Sequence, residues 1–216
     1  MQEQTPDPDW HRDAVGGMWE EIGKLQFDFL KEQGLQPKHR LLDIGCGSLR
    51  GGVHFVRYLD SGNYVGVDKN RALLDAGRTE LERCKLTRKE LTLIAMQDFD
   101  FRSLGREFDY ALAHSLFTHL SLNSITRCIV SVDKVLAPQG QLYTTFFENP
   151  DGRSNLEALS HPSPNEPPLV TYFDEDPYHY DFKTFEWICE GTCLTVEYIG
   201  EWAHPRDQKM MVFTKR

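Results

Sequence analysis

Apolar residues follow two alternating rhythms along this chain: short compact runs, and recurrences every three or four positions. That alternation is the signature of a doubly wound α/β sheet. Val15, Met18, Trp19, Ile22, Leu25 and Phe29 recur at helical spacing and predict an amphipathic helix over about residues 17 to 32. Arg40 to Ile44 reads as a buried strand, followed by a glycine-rich turn and a helix carrying Val53, Phe55, Val56 and Leu59. Asn63 to Val67 is the next strand, and Asn70 can cap a helix holding Leu73, Leu74, Leu81 and Cys84. Leu91 to Met96, Phe108 to Ala113 and Gln141 to Phe147 are further strands, and a helix with Ile125, Cys128, Ile129, Val132 and Leu136 separates the last two. Pro138 and Gly140 are expected to stop that helix. A short helix near Phe182 to Glu190 then leads to Leu194 to Ile199 and Gln208 to Phe213, expected to pair antiparallel.

One stretch breaks the rhythm. Residues 150 to 181 hold Pro150, Pro162, Pro164, Pro167, Pro168 and Pro177, more than half of the 11 prolines. Proline removes amide donors, so no regular structure is expected there. Long loops in compact domains are commonly functional. The aromatic tail Tyr172, Phe173, Tyr178, Tyr180 suggests an ordered lid, with a solvated acidic loop as the alternative. The chain thus reads as a single domain: an N-terminal lid and helix (1–37), a core (38–147), a lid loop (148–181) and a C-terminal helix and β-hairpin (182–216).

With 216 residues, 40% hydrophobic, the chain can bury a core of its own. Its net charge of −9 argues against a phosphate-backbone binder, since neutralising nucleic acid needs a basic face, but leaves room for a cationic ligand. Five scattered cysteines favour free thiols, and a polar head without a signal pattern or a long apolar run leads to the expectation of a cytoplasmic protein.

Candidate chemistry concentrates at successive strand ends. In Leu41 to Gly52 a strand carrying Asp43 turns through Gly45-x-Gly47-x-x-x-Gly51 into a helix. Such a turn lets a ligand approach the backbone and meet exposed N–H groups. The spacing is one residue longer than the dinucleotide fingerprint. Asp68, followed by Lys69, ends the second strand 21 residues past Gly47, where a ribose-binding carboxylate belongs. The third strand ends in Gln97-Asp98-Phe99, where a carboxylate can accept from an adenine amino group and an aromatic can pack on the ring.

As a set, these strand ends resemble the class I S-adenosylmethionine-dependent methyltransferases, over roughly residues 38 to 147. The segment Phe108 to Leu120 is similar to the fourth strand and following loop of the small-molecule members. The resemblance implies a Rossmann-like, seven-stranded, mostly parallel sheet with an antiparallel last strand, and S-adenosylmethionine bound across the strand ends, leaving as S-adenosylhomocysteine. It implies cofactor contacts at Asp43, Gly45, Cys46, Gly47, Gly51, Asp68, Lys69, Asp98, Phe99 and His114. Leu49 and Arg50 depart from the small residues many members carry there. Arg50 either pairs with the cofactor carboxylate or caps the sheet edge as a solvated arginine.

Methyl transfer needs alignment and a base with pKa near neutral. His114 and His119 are the candidate catalytic residues. His114 ends the fourth strand, as a base, a backbone contact to the cofactor, or a hydrogen-bonded strand-end histidine; His119 serves as a base or satisfies local backbone groups. His179 reaches an acceptor only if the lid folds over, and His204, beside Pro205, is expected in solvent. Trp19 offers a cation–π face to the sulfonium or packs as a helix start. No metal is expected: no carboxylate stands at His114, and Cys189-x-x-x-Cys193 lacks a second pair. The expected partner is a small-molecule acceptor, with neither nucleic acid nor membrane. A binding protein that does not methylate remains the alternative.

Overall fold

A computed structural model describes residues 7–149, 156–164 and 167–216. Residues 1–6 of the expected N-terminal lid, and 150–155 and 165–166 of the expected loop, lie outside the described residues. The chain divides into two compact units, Met1–Lys38 with Gly45–Gln97, and His39–Ile44 with Asp98–Arg216.

The first unit opens with a short helix α1 (Trp10–Ala14) and the longer α2 (Trp19–Glu32). Gly16, Gly17 and Met18 all take positive φ and set the bend between them. Gly34, at φ +94, ends α2, and the Leu35 amide returns to the Leu30 carbonyl at 3.0 Å. The helix α3 (Gly52–Tyr58) follows the glycine turn, then β2 (Tyr64–Asp68), α4 (Arg71–Arg83) and β3 (Thr92–Ala95). Asn70 caps α4 as expected, its side chain accepting the Ala72 N–H at 3.0 Å. β2 and β3 pair in parallel. Ile22, Leu30, Val53, Phe55, Val65, Leu74 and Leu81 form this unit's core. The face of α2 toward the turn is kept flat by Gly23, where a Cβ would lie 2.4 Å from the Arg50 carbonyl oxygen.

In the second unit β1 (Leu41–Ile44), β4 (Phe108–Ala113) and β5 (Leu136–Glu148) run parallel. The helix α5 (Leu122–Asp133) joins the last two. It ends before Leu136, earlier than its apolar spacing suggests. The strand ladder claims that backbone: Leu136 pairs with Phe108, whose amide donates to the Val135 carbonyl at 2.8 Å. Pro138 and Gln139, the latter at φ +63, sit instead in a register shift of β5.

The proline-rich stretch also departs from expectation, because it does contain strands. β6 (Leu159–His161) and β7 (Leu169–Thr171) form an antiparallel pair, and β8 (His179–Tyr180) pairs in parallel with the end of β5. Pro162, Pro164, Pro167, Pro168 and Pro177 fall in the connections, where no ladder amide is needed. After α6 (Lys183–Cys189) come β9 (Leu194–Gly200) and β10 (Lys209–Lys215). β10 is antiparallel to both β5 and β9, the reversed last strand that the sequence predicts. Phe117, Phe146, Phe185 and Phe213, all fully buried, pack at the centre of this unit.

The Gly23 geometry gives a stability prediction. Gly23→Ala should lower the free energy of unfolding by about 1–3 kcal/mol, despite alanine's better helix propensity. Urea denaturation followed by circular dichroism measures this, and an unchanged midpoint would mean that the helix and turn separate freely.

Candidate functional site

The first unit builds the glycine turn from the end of β2. The amides of Gly45 and Cys46 both donate to the Val67 carbonyl, at 2.8 and 3.1 Å. Gly47, at φ +54, donates its N–H to Asp68 Oδ2 at 2.9 Å. Asp68 Oδ1 accepts the Asn70 amide at 2.7 Å. Each carboxylate oxygen therefore spends one acceptor position on backbone and keeps capacity for a further donor. Lys69 beside it is exposed.

Leu49, the bulky departure in the turn, is fully buried. Its side chain fills the space beside Gly52 and Gly77, which explains why a large residue stands in a turn of small ones. Gly51 packs against Gln26 of α2, where a Cβ would meet Gln26 Oε1 at 2.6 Å. Cys46 is buried beneath the turn, near the Cβ position of Gly66.

Arg50 is not the solvated cap that was one of its two expected roles. It is 7% exposed, and its Nη1 donates to the carbonyls of Val15 at 2.8 Å and Gly17 at 2.9 Å. This ties the N-terminal segment across the turn. Val15 completes the cover: a Cβ on Gly47 would lie 2.8 Å from its Cγ1. Trp19, at the start of α2, has the Arg12 guanidinium over its ring at 4.9 Å. Arg12 and Arg83 converge on buried Glu80, with His11 Nε2 3.4 Å from it. Asp9, His11 and Glu80 are the acidic and imidazole groups that come together here, and the two arginines pair with both carboxylates.

In the second unit, Asp43 is buried on β1, in register with Leu112 of β4. Asp98 is exposed and accepts the Asp100 amide at 3.3 Å. Phe99, at φ +58, lies edge-on to Phe101 with ring centroids 6.0 Å apart.

Beyond β4 the structure gathers residues that sequence reasoning separated. The register puts the C-terminal ends of β4 and β5 beside the N-terminal end of β10: Ala113 is level with Thr144, and Phe146 with Lys209. At that edge His114 is buried, with Trp202 and His204 at ring-centroid distances of 5.6 and 5.3 Å. His204 is not in solvent as expected; it is 7% exposed, because its ring stacks on Trp202. Ser115 Oγ and Thr145 Oγ1 both donate to Gln208 Oε1, at 3.0 and 2.7 Å.

His119 is exposed and pairs with Asp176 at 2.6 Å, an unforeseen clasp between the loop after β4 and the proline-rich segment. The clasp has company. Tyr178 donates its amide to the Thr118 carbonyl, and Tyr180 its hydroxyl to the Leu120 carbonyl. His179 is buried, its Nδ1 3.0 Å from Thr171 Oγ1, and the same hydroxyl lies 2.9 Å from Nε2 of His161. His161 went unnoticed in the sequence, where a lone histidine before Pro162 carries no pattern.

Comparisons with known proteins agree with this architecture. Residues 42–142 match the family model described as a methyltransferase domain. A curated relative, an uncharacterized protein of Rickettsia prowazekii (strain Madrid E), is 24% identical over 107 residues; the match takes in 50% of this chain and 42% of that protein. Among solved structures, the CcbJ methyltransferase from Streptomyces caelestis is similar with a TM-score of 0.69 at 12% identity, covering 99% of this chain and 100% of that one. An amino pentose methyltransferase from Micromonospora echinaspora, solved with bound S-adenosylmethionine, gives 0.67 at 15% identity over 100% of both chains. Magnesium protoporphyrin IX methyltransferase from Synechocystis PCC 6803 gives 0.63 at 11% identity, over 100% of this chain and 87% of that one. The chain thus shares the fold of class I S-adenosylmethionine-dependent methyltransferases, and its residues 42–142 are similar to the methyltransferase-domain model.

Burial holds His11, His54 and His161 below the ordinary histidine pKa, desolvation being the largest cause in each. A histidine kept neutral by folding contributes stability that is full above its unfolded value of about 6.5 and is lost as pH falls below it. Unfolding midpoints should therefore fall between pH 7.5 and 5.5, before most carboxylates titrate. A midpoint that holds steady or rises over that interval would contradict the assignment.

Proposed function

We propose that this protein is a methyltransferase that takes its methyl group from S-adenosylmethionine and places it on a small-molecule acceptor. The observation that carries the reading is the Asp68 carboxylate, held by the Gly47 and Asn70 amides at the end of β2 with acceptor capacity left on both oxygens. That arrangement fits a ribose diol, whose two hydroxyls need two fixed acceptors.

In this reading Asp68 holds the ribose, and Gly45, Cys46 and Gly47, their amides bonded within the turn, line the nucleoside and methionine. Asp43 receives the amino group, directly or through water. Asp98 accepts from the adenine amino group, and Phe99 covers the ring. Lys69 and Gly51 flank these groups rather than touch the reacting atoms. Arg50 and Trp19 hold the N-terminal segment over the turn. When bound, S-adenosylmethionine supplies a methyl group on a sulfonium, which an acceptor lone pair displaces in line. The protein's work is then to align, to exclude water and to receive a proton. His114 is the base we assign to that proton, and His119 secures the proline-rich segment through Asp176.

The acidic balance favours a small acceptor over nucleic acid. No helix among the described residues is long and apolar enough to cross a membrane, and the five cysteines are free thiols, which suits a cytoplasmic setting.

Isothermal titration calorimetry with S-adenosylhomocysteine tests the reading. The wild-type chain should bind, and Asp68→Ala should bind more weakly by about 1–3 kcal/mol, the scale of a lost charged hydrogen-bond partner. Absence of binding to the wild-type chain would overturn the cofactor assignment; equal affinity in the variant would overturn the role of Asp68.

A further inference from the structure

We propose that His161 is a proton-operated latch: as a neutral ring it holds residues 169–180 against the end of β5, and on taking up a proton it lets that segment go. The latch goes beyond the methyltransferase reading and does not depend on it. His161 stands where four strands meet. On β6 it pairs across the ladder with Leu169 of β7, and its ring lies against that of Phe147 of β5 at a centroid distance of 4.3 Å. Its Nε2 is 2.9 Å from Thr171 Oγ1, and the same hydroxyl is 3.0 Å from Nδ1 of His179 on β8. Both histidines are buried and Thr171 is fully so.

A hydroxyl has one hydrogen and two lone pairs, so it links two neutral imidazoles by donating to one and accepting from the other. A further proton on His161 turns the ring into a buried cation against Phe147, and a buried charge is costly unless a partner offsets it. Lys209 and His179 oppose that charge; Asp207 favours it, but Asp207 is already paired with Lys209. Desolvation is the largest influence and holds the ring below the ordinary histidine pKa. The proton is therefore taken up more readily when the segment is open and the ring meets water.

The other holds on the segment do not respond in this way. The Tyr178 amide donates to the Thr118 carbonyl at 2.7 Å and the Asn149 amide to the Tyr180 carbonyl at 2.9 Å, and neither bond titrates. A proton on His119 strengthens its pair with Asp176 rather than weakening it, and an exposed pair of this kind contributes little. A closed state that disfavours a proton on His161 keeps its full advantage above about pH 6.5 and loses it as the pH falls below that value. Release uncovers the loop after β4, to which the segment is bonded at Thr118 and Leu120.

Amide hydrogen exchange followed by NMR tests the latch. In the wild-type chain the Tyr178 and His179 amides should exchange ahead of the core amide of Phe108, and their protection should fall severalfold from pH 7.5 to pH 5.5. One proton per opening limits the slope to about tenfold per pH unit. His161→Gln keeps a polar group for Thr171 but cannot titrate, so the pH dependence of protection at these two amides should vanish. Nitrogen-15 spectra of the wild-type His161 ring give a check that stands even where the variant fails to close: the ring should stay neutral at about pH 6. Equal protection at the two pH values, a pH dependence that survives in His161→Gln, or a His161 ring that is charged at about pH 6 while the segment stays closed would overturn the inference. Calorimetry with S-adenosylhomocysteine reads the cofactor site separately, and its outcome leaves each of these untouched.

Discussion

A single carboxylate, Asp68, fixes three pieces of backbone at once. Its oxygens take the amides of Gly47 and Asn70, and Asn70 in turn caps α4, so strand, turn and helix are registered through one side chain. The turn must be rigid, and most side chains would not fit it. Gly47 meets the demand at φ +54, with Val15 packed where a Cβ would stand. Arg50 then reaches back to hold the segment that carries Val15, so the cover over the turn depends on the same few residues.

The electrostatic consequence concerns how the acidic residues are neutralised. Glu80 is buried among Arg12 and Arg83 and contributes little field outside that cluster. Asp68 and Asp98 have backbone amides among their partners, which stabilise a carboxylate without adding a formal positive charge. At the turn itself, the Asp68 carboxylate held in this way favours a cation over an anion.

The parallel strands were legible because buried strands read as unbroken apolar runs, and Asn70 because a cap has a local signature. What escaped depends on distance along the chain. Arg50 is satisfied by carbonyls more than thirty positions away, and no local pattern announces such a bond. His204 looks like a turn residue beside Pro205; only the fold brings Trp202 and His114 against it. The strands β6, β7 and β8 are two or three residues long, too short to show a period, and the prolines around them argue for loop, although Pro162, Pro164, Pro167, Pro168 and Pro177 fall between the ladders. Helix α5 stops early because backbone pairing with β4 outweighs side-chain spacing.

The proline-rich excursion leaves β5 after Glu148 and comes back to pair with that same residue through Tyr180. Its two ends are thus pinned side by side, independent of what lies between them. The entropy of closing such a loop grows only with the logarithm of its length, about 0.6 kcal/mol for each doubling. Segments of different length and composition can therefore be exchanged at this point at little thermodynamic cost. The fold has a place where a length of chain can be exchanged while the strands that frame it stay as they are.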